Sequence, residues 1–290
     1  MTENPYRITG PALISFSGGR TSAYMLWHIL DAHDGKLPDD VHVCFANTGK
    51  EREETLRFVH ECATRWGVRV RWLEWRPKGS DPFPYSRSEL REGGEPRWFL
   101  EATQRCGENG FEEVGLNSAD RTGRHFAALI RMRGYLPNVA KPWCSIALKQ
   151  RVANQFARSV FGKGRYWSVV GLRHDEQGRR DNALKRAMRK KDGWTPLCPL
   201  YTARATSRDV KSFWATQPFD LGILNFEGNC DGCFQKGPRL YEVERMAPGS
   251  LDWWIEQERA VQTTAEPDAR HWILGRSYTE ISEAISRQPD

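Results

Sequence analysis

The chain has no apolar run approaching the ~20 residues needed to cross a bilayer. Its opening, Met1-Thr-Glu-Asn-Pro, lacks the basic block and apolar core of a secretory leader. A cytoplasmic protein without membrane contact is the expectation. Cysteine is sparse and odd in number, seven in 290 residues. That argues against a disulfide framework and for a reducing compartment with metal-binding or catalytic thiols. Acidic residues are in deficit, 37 against 43 Lys and Arg, and the net charge of +6 suits an anionic ligand, nucleotide or nucleic acid, without choosing between them. Hydrophobic content of 39% and charged content of 28% are those of a globular chain long enough for one large α/β domain with an appendage or for two small domains. Oligomeric state leaves no signature. The twelve tryptophans read mostly as core or rim packing.

Two further absences narrow the first glycine-rich stretch, Ser17-Gly18-Gly19-Arg20-Thr21-Ser22. It has no Gly-Lys-Ser/Thr ending and is not a Walker loop; it has no third glycine and is not a dinucleotide fingerprint. What it has is an apolar strand before it, Ala12 to Phe16, and a helix after it from Thr21, with Ala23, Leu26 and Leu30 on one face. A strand that turns through glycines into a helix aims backbone N–H groups and the positive end of the helix dipole at one point, which suits a phosphate. Ser17, Thr21 and Ser22 add hydroxyls, and Arg20 a cation. The stretch resembles the PP-loop, Ser-Gly-Gly-x-Asp/Thr-Ser, of the adenine nucleotide alpha-hydrolase superfamily.

Further along, Val41 to Ala46 alternates as a strand and ends in Asn47-Thr48-Gly49. Glu53-Glu54-Thr55 opens a helix with Leu56, Val59, Ala63 and Trp66 as its apolar set, and a third strand follows over 68–75. Two βα units and a third strand predict a Rossmann-like parallel sheet flanked by helices, with ligands at the carboxyl ends of the strands. Asn47-Thr48-Gly49 with Glu54-Thr55 is similar to the Asp-Thr-Gly...Glu-Thr segment of phosphoadenylyl-sulfate (PAPS) reductases, which lines the adenosine end of the nucleotide site. Asn47 keeps the acceptor of the usual Asp and loses its charge. From about 76 to 140, Pro, Gly, Ser and mixed charge predict an inserted lid or substrate loop with a short helix near Phe126 to Arg133. Arg121, Arg124, His125, Arg131 and Arg133 form a basic cluster, either a solvated helix face or an anion site.

Cys144 precedes a predicted helix capped by Ser145, with Leu148, Val152, Phe156 and Val160 at i+4 spacing, where a helix dipole stabilises a thiolate. After the strand 166–171, Gly171, Arg173 and Glu176 look like the Gly-x-Arg-x-x-Glu segment that, in the reductase family, supplies an arginine to the nucleotide or its sulfate. The basic run 179–191 reads as a mobile solvated loop more readily than as a nucleic-acid site, since no RNA-binding motif accompanies it. Ser207 is the expected cap of a helix over 207–214.

Cys230-Asp231-Gly232-Cys233 lets two thiolates point at one metal centre from a tight turn. Cys144 and Cys198, flanked by prolines and outside long helices, are the expected partners. Cys44 and Cys62 read as small buried hydrophobes, and Cys106 is ambiguous. Spacing leaves zinc and iron–sulfur open; the resemblance implies a 4Fe-4S cluster. It covers residues 10 to 260, and the chain is identified as similar to PAPS reductase-like proteins of bacteria and phages. Residues 1–237 are then a PP-loop domain, and 238–290 a helical extension. The resemblance implies ATP or a sulfonucleotide as ligand, Mg²⁺ at the phosphates, and Arg20 and Arg173 as the charge-stabilising residues. One departure stands out: the segment 238–290 has no cysteine, and sulfonucleotide reductases carry one in a Cys-Gly-x-His tail. Three functions follow as expectations. The first is an ATP-using adenylating enzyme of sulfur transfer acting on an unidentified acceptor. The second is a sulfonucleotide reductase or sulfotransferase-like enzyme. The third is a non-catalytic nucleotide- or nucleic-acid-binding partner of a sulfur-modification system.

Overall fold

The computed structural model describes residues 4–76, 110–189, 193–263 and 265–287. Six strands form one sheet: β1 (Ala12–Ser15), β2 (Val41–Asn47), β3 (Val70–Arg76), β4 (Gly110–Val114), β5 (Tyr166–Val169) and β6 (Trp194–Leu197). Their order is β4-β3-β2-β1-β5-β6, parallel throughout except for β4, which runs antiparallel on β3 at one edge. This is the expected α/β, Rossmann-like architecture. The chain winds outward from β1 to β2 and β3, then returns to place β5 on the other side of β1. Between β1 and β5 the winding reverses, and the cleft outside their carboxyl ends is where such sheets hold ligands.

A parallel sheet covered on both faces needs apolar side chains on both, and the strands supply them in period two. Ile14, Val43 and Phe45 face α1 (Arg20–Ala32) and α2 (Glu53–Arg65), with Met25, Leu26, Ile29, Leu56 and Val59. Leu13, Cys44 and Leu73 face the other way, into a core shared with α3 (Arg124–Arg133), α4 (Val152–Phe161) and the helices of the C-terminal segment, α8 (Arg239–Met246), α9 (Asp252–Ala260) and α10 (Tyr278–Ser286). Trp254, Trp272 and Tyr278 are fully enclosed there, with Phe126 edge-on to both indoles at 5.8 Å. The C-terminal segment therefore shares the core of the sheet. Among the described residues no helix is long and apolar enough to cross a membrane.

Several local expectations are corrected. The chain from Ser145 to Arg151 is a π-helical segment that runs into α4, and Cys144 already has helical backbone, so Ser145 caps nothing. Leu148, Val152 and Phe156 are buried as their spacing implies, whereas Val160 is 38% exposed and its neighbour Phe161 packs on Tyr166 of β5 instead. The basic run from 179 is not a loop: α5 (Gln177–Arg189) carries it, and 190–192 lie outside the described residues. A four-residue turn, α6 (Pro199–Thr202), precedes α7 (Ser207–Trp214), whose cap is Thr206, not Ser207; Thr206 N–H and Oγ1 both lie on Asp209 Oδ2, at 2.7 and 2.6 Å. Much of the expected insertion, with Cys106, lies outside the described residues. Its basic cluster is internally paired: Arg121 Nε donates to Glu53 (2.7 Å), Arg133 lies over Trp143 at 4.3 Å, and His125 is buried.

Candidate functional site

The loop between β1 and α1 lies at the point where the winding reverses. Gly18 has φ +77°, and a Cβ there would stand 2.6 Å from Thr55 Cγ2 and 3.1 Å from Val59 Cγ2, so only glycine lets the chain turn tightly over α2. Gly19, with extended backbone, is the N-cap of α1. The loop is pinned from within: Ser17 N–H donates to Ser22 Oγ (3.1 Å), the two hydroxyls are 2.9 Å apart, and Ser22 Oγ donates to the Gly19 carbonyl (2.9 Å). The first-turn N–H groups of α1, which have no intrahelical acceptor, open onto a cavity of about 710 Å³ whose lining includes Ser17 to Ser22.

Arg20 and Arg173 both line the cavity, and each is already paired there. The Arg20 guanidinium is engaged within the chain. Its Nε donates to Asp220 Oδ1 (2.6 Å), its Nη2 meets Asp220 Oδ2, and its Nη1 donates to the Ile223 carbonyl (2.8 Å). These bonds hold the Asp220 carboxyl below its usual pKa. Arg20 thus ties the loop to the segment 220–225, of which Leu221, Leu224 and Asn225 line the cavity. Arg173, just past β5, donates to Thr21 Oγ1 (3.1 Å) and Asp175 Oδ1 (2.9 Å) and lies 3.4 Å from Glu176 Oε2. Gly171 passes so close to α1 that a Cβ would lie 3.4 Å from Ser22 Cα. Gly171, Arg173, Glu176 and Arg179 all line the cavity, with Glu176 the only carboxylate among the described lining residues.

Asn47, Thr48 and Gly49 do not line it; they face the other way. Asn47 Nδ2 donates to Glu74 Oε1 (2.5 Å) and to the Asp120 carbonyl (2.8 Å), and Asn47 Oδ1 accepts from Gly49 N–H (3.1 Å). Thr48 Oγ1 lies 3.2 Å from Cys230 Sγ. The cavity and Cys230 nevertheless share one strap of chain, since Asn225, Gly228 and Asn229 line the cavity and Cys230 follows at once. Asn229 has φ +64°, a left-handed turn that asparagine tolerates.

Cys230, Cys233 and Cys144 pack into the same core region with Lys149 among them. Cys230 Sγ is 3.9 Å from Glu51 Oε1, which also accepts from Lys149 Nζ at 2.9 Å. Burial first, then the neighbouring Cys233 sulfur, pushes the Cys144 thiol up to about 11, so the dipole effect expected there loses to desolvation. Burial also raises Cys230 and Cys233. Burial works against the Lys149 ammonium, and Glu51 with the two sulfurs outweighs it, so the lysine is held charged. Cys198 does not join this group. It ends β6 as the N-cap of α6, and the charged side chain facing it is Arg180. Cys44 and Cys62 are buried, on opposite faces of the sheet.

Sequence reasoning did not find Glu51, Lys149 or the clamp on the Cys-x-x-Cys turn. Trp254 Nε1 donates to Asp231 Oδ1 (2.7 Å) and Tyr278 Oη to the Gly232 carbonyl (2.9 Å), while Lys50 Nζ pairs with Asp231 Oδ2 (3.1 Å). Lys149 stands five residues after Cys144, a spacing that faces one way on a π-helix and diverges on an α-helix.

No protein-family model matches the chain. An uncharacterized nin region protein, ORF290, of Escherichia phage lambda is 30% identical over 224 residues, which cover 77% of this chain and 66% of that protein, so the chain spans just under two thirds of the relative's length. Among solved structures, the U34-tRNA thiolase NcsA from Methanococcus maripaludis, solved with its 4Fe-4S cluster, is similar over 96% of this chain and 81% of that one, at 11% identity and a TM-score of 0.36.

Proposed function

We propose that the chain is a nucleotide-binding enzyme of sulfur transfer that activates an acceptor with ATP. The observation that carries this reading is the shared strap: the cavity beside Ser17–Ser22 and the buried cysteines are separated by a single peptide, Asn229 to Cys230. Phosphates would lie on the first-turn N–H groups of α1, with the hydroxyls of Ser17, Thr21 and Ser22 and the guanidiniums of Arg173 and Arg179 beside them. Glu176, the carboxylate in the described lining, would hold Mg²⁺ by exchanging its present contacts with Arg173 and Arg179 as those arginines turn to phosphate. An acceptor oxygen attacks the α-phosphorus, its proton passes to solvent, and the bond to pyrophosphate breaks. A sulfur nucleophile then attacks the activated carbon, and AMP leaves with the oxygen.

Three sulfurs, one buried and two half-buried, with Lys149 to offset thiolate charge fit an iron–sulfur cluster held by Cys230, Cys144 and Cys233. Bound there, such a cluster supplies one iron without a protein thiolate, a place for sulfide. A single zinc fits less well: ~2.3 Å bonds need sulfurs about 4 Å apart, and no three cysteine sulfurs among the described residues lie within 4.8 Å of one another.

The test is product analysis on the anaerobically purified chain, with and without bulk tRNA, together with iron and zinc content. Pyrophosphate and AMP from ATP, lost in Arg173→Ala, support the proposal. Sulfite from a sulfonucleotide would instead make it a reductase, and neither product would make it a binding partner.

A further inference from the structure

A second cluster of ligating side chains lies apart from both the cavity and the cysteines. Glu74 on β3, Glu112 on β4 and His125 in the first turn of α3 bring one ligand atom each within 4.8 Å of one another. His125 Nε2 is 3.0 Å from Glu74 Oε2 and 3.6 Å from Glu112 Oε1. Glu74 and Glu112 are direct partners in the antiparallel register, a pairing of like charges that destabilises a sheet unless something positive lies between them.

Glu74 is fully buried, and its two oxygens differ. Oε1 accepts from Asn47 Nδ2 and from Asp120 N–H (2.7 Å). Among the described residues, Oε2 meets only the imidazole, with His125 Nε2 at 3.0 Å. Arg124 Nε lies 3.4 Å from the same nitrogen, a long contact that an ion bound there would displace. One imidazole nitrogen and two carboxylate oxygens thus stand within 4.8 Å of one another, and Arg76 Nη1 is 3.9 Å from the other Glu112 oxygen, Oε2.

We infer that Glu74, Glu112 and His125 form a binding site for a divalent transition-metal ion. One imidazole nitrogen with two carboxylates suits Zn²⁺, Mn²⁺ or Fe²⁺ and disfavours Ca²⁺ and Mg²⁺, which take oxygen ligands. Bonds of about 2.0–2.2 Å hold neighbouring ligand atoms roughly 3–4 Å apart. Glu74 Oε2 and His125 Nε2 already stand at that spacing, and Glu112, the most exposed of the three at 19%, closes the set by a side-chain rotation. Three protein ligands leave a coordination position for water. Through Glu74 Oε1 and Asn47 the ion would also brace the turn that carries Thr48 to Cys230. This site does not depend on the proposed sulfur transfer.

The test separates the site from the thiols. The Cys144→Ser, Cys230→Ser, Cys233→Ser triple variant is titrated with Zn²⁺ by calorimetry, and the wild-type chain with Mn²⁺, an ion thiolates bind weakly, by electron paramagnetic resonance. One equivalent bound in either experiment, with affinity at least tenfold weaker in Glu112→Gln, establishes the site. Glu112→Gln is the chosen variant because it sits at the edge and keeps the shape of the side chain; thermal unfolding of the metal-free forms checks that it folds. If the triple variant does not fold, the Mn²⁺ comparison alone decides. Binding of neither ion, or binding that Glu112→Gln leaves unchanged, overturns the inference and leaves the three side chains as a structural polar cluster.

Discussion

The cavity and the cysteine pocket share residues 225–233, yet they are built in opposite ways. The cavity loop is continuous in sequence, made of small residues, and presents backbone to an open cleft. The cysteine pocket is assembled from four distant stretches, around Thr48–Glu51, Cys144–Lys149, Cys230–Cys233 and Trp254–Tyr278, and is sealed under aromatic rings. A site made of backbone depends on conformation at one or two positions. A site made of side chains brought from afar depends on the core that brings them, so substitutions that touch no cysteine should disable it.

The largest effect expected from that difference is at the clamp. Trp254→Ala removes a fully buried indole, its bond to Asp231 and the surface against which Gly232 packs, where a Cβ would already lie 2.4 Å from Nε1. A loss of about 3–5 kcal/mol in chemical denaturation is expected. A loss under about 1 kcal/mol would show that the cysteine pocket stands without its lid.

Gly18→Ala comes next. Both the left-handed φ and the 2.6 Å approach to Thr55 oppose a methyl group, so stability should fall by about 1–3 kcal/mol and nucleotide binding should vanish with the loop's shape. Smaller still is Glu51→Gln, which leaves the Lys149 ammonium facing an amide. Because 30% of the Lys149 side chain remains exposed, the cost should be about 1–2 kcal/mol, below that of a fully buried pair. The double variant with Lys149→Met should cost less than the sum of the two single changes. Additive losses would mean that the 2.9 Å contact contributes nothing.

How much of this could be read from the sequence follows the same divide. Strand, glycine pair and helix are local signals, so the βα turn and the parallel sheet were legible from period and turn residues. Glu53 and Glu54 at the head of α2 marked a helix start in the same way. The pairing of Arg20 was invisible because its partner, Asp220, lies 200 residues away, and a cation in a glycine loop looks the same whether or not a carboxylate claims it. Asn47, Thr48 and Gly49 stand at a strand's carboxyl end, but side chains there can turn to either face, and hydrogen bonds to Glu74 and Asp120 turn them away from the cavity. Cys198 shares with Cys144 a nearby proline, a weak cue that says nothing about place in the strand order: Cys198 follows the edge strand β6, whereas Cys230 bridges Glu51 just after β2. The π-helical segment after Cys144 has no signature in hydrophobic period, and without it the alignment of Lys149 with Cys144 is invisible.

The smallest expected effect on stability is the sharpest probe of the contrast. Gly19 adjoins Gly18, yet its φ is −101°, within reach of any residue, and a Cβ would meet nothing closer than Ser17 Oγ at 3.8 Å. Gly19→Ala should therefore leave stability within about 0.5 kcal/mol, since it neither strains the backbone nor fills occupied space. Its new methyl group would stand at the N-cap of α1, beside the N–H groups proposed to receive phosphate, where it holds an oxygen away from the backbone. Affinity for ATP should fall at least tenfold in equilibrium binding while the denaturation midpoint stays put. If affinity holds as well, the phosphates do not lie on the first turn of α1, and the cavity serves some other ligand.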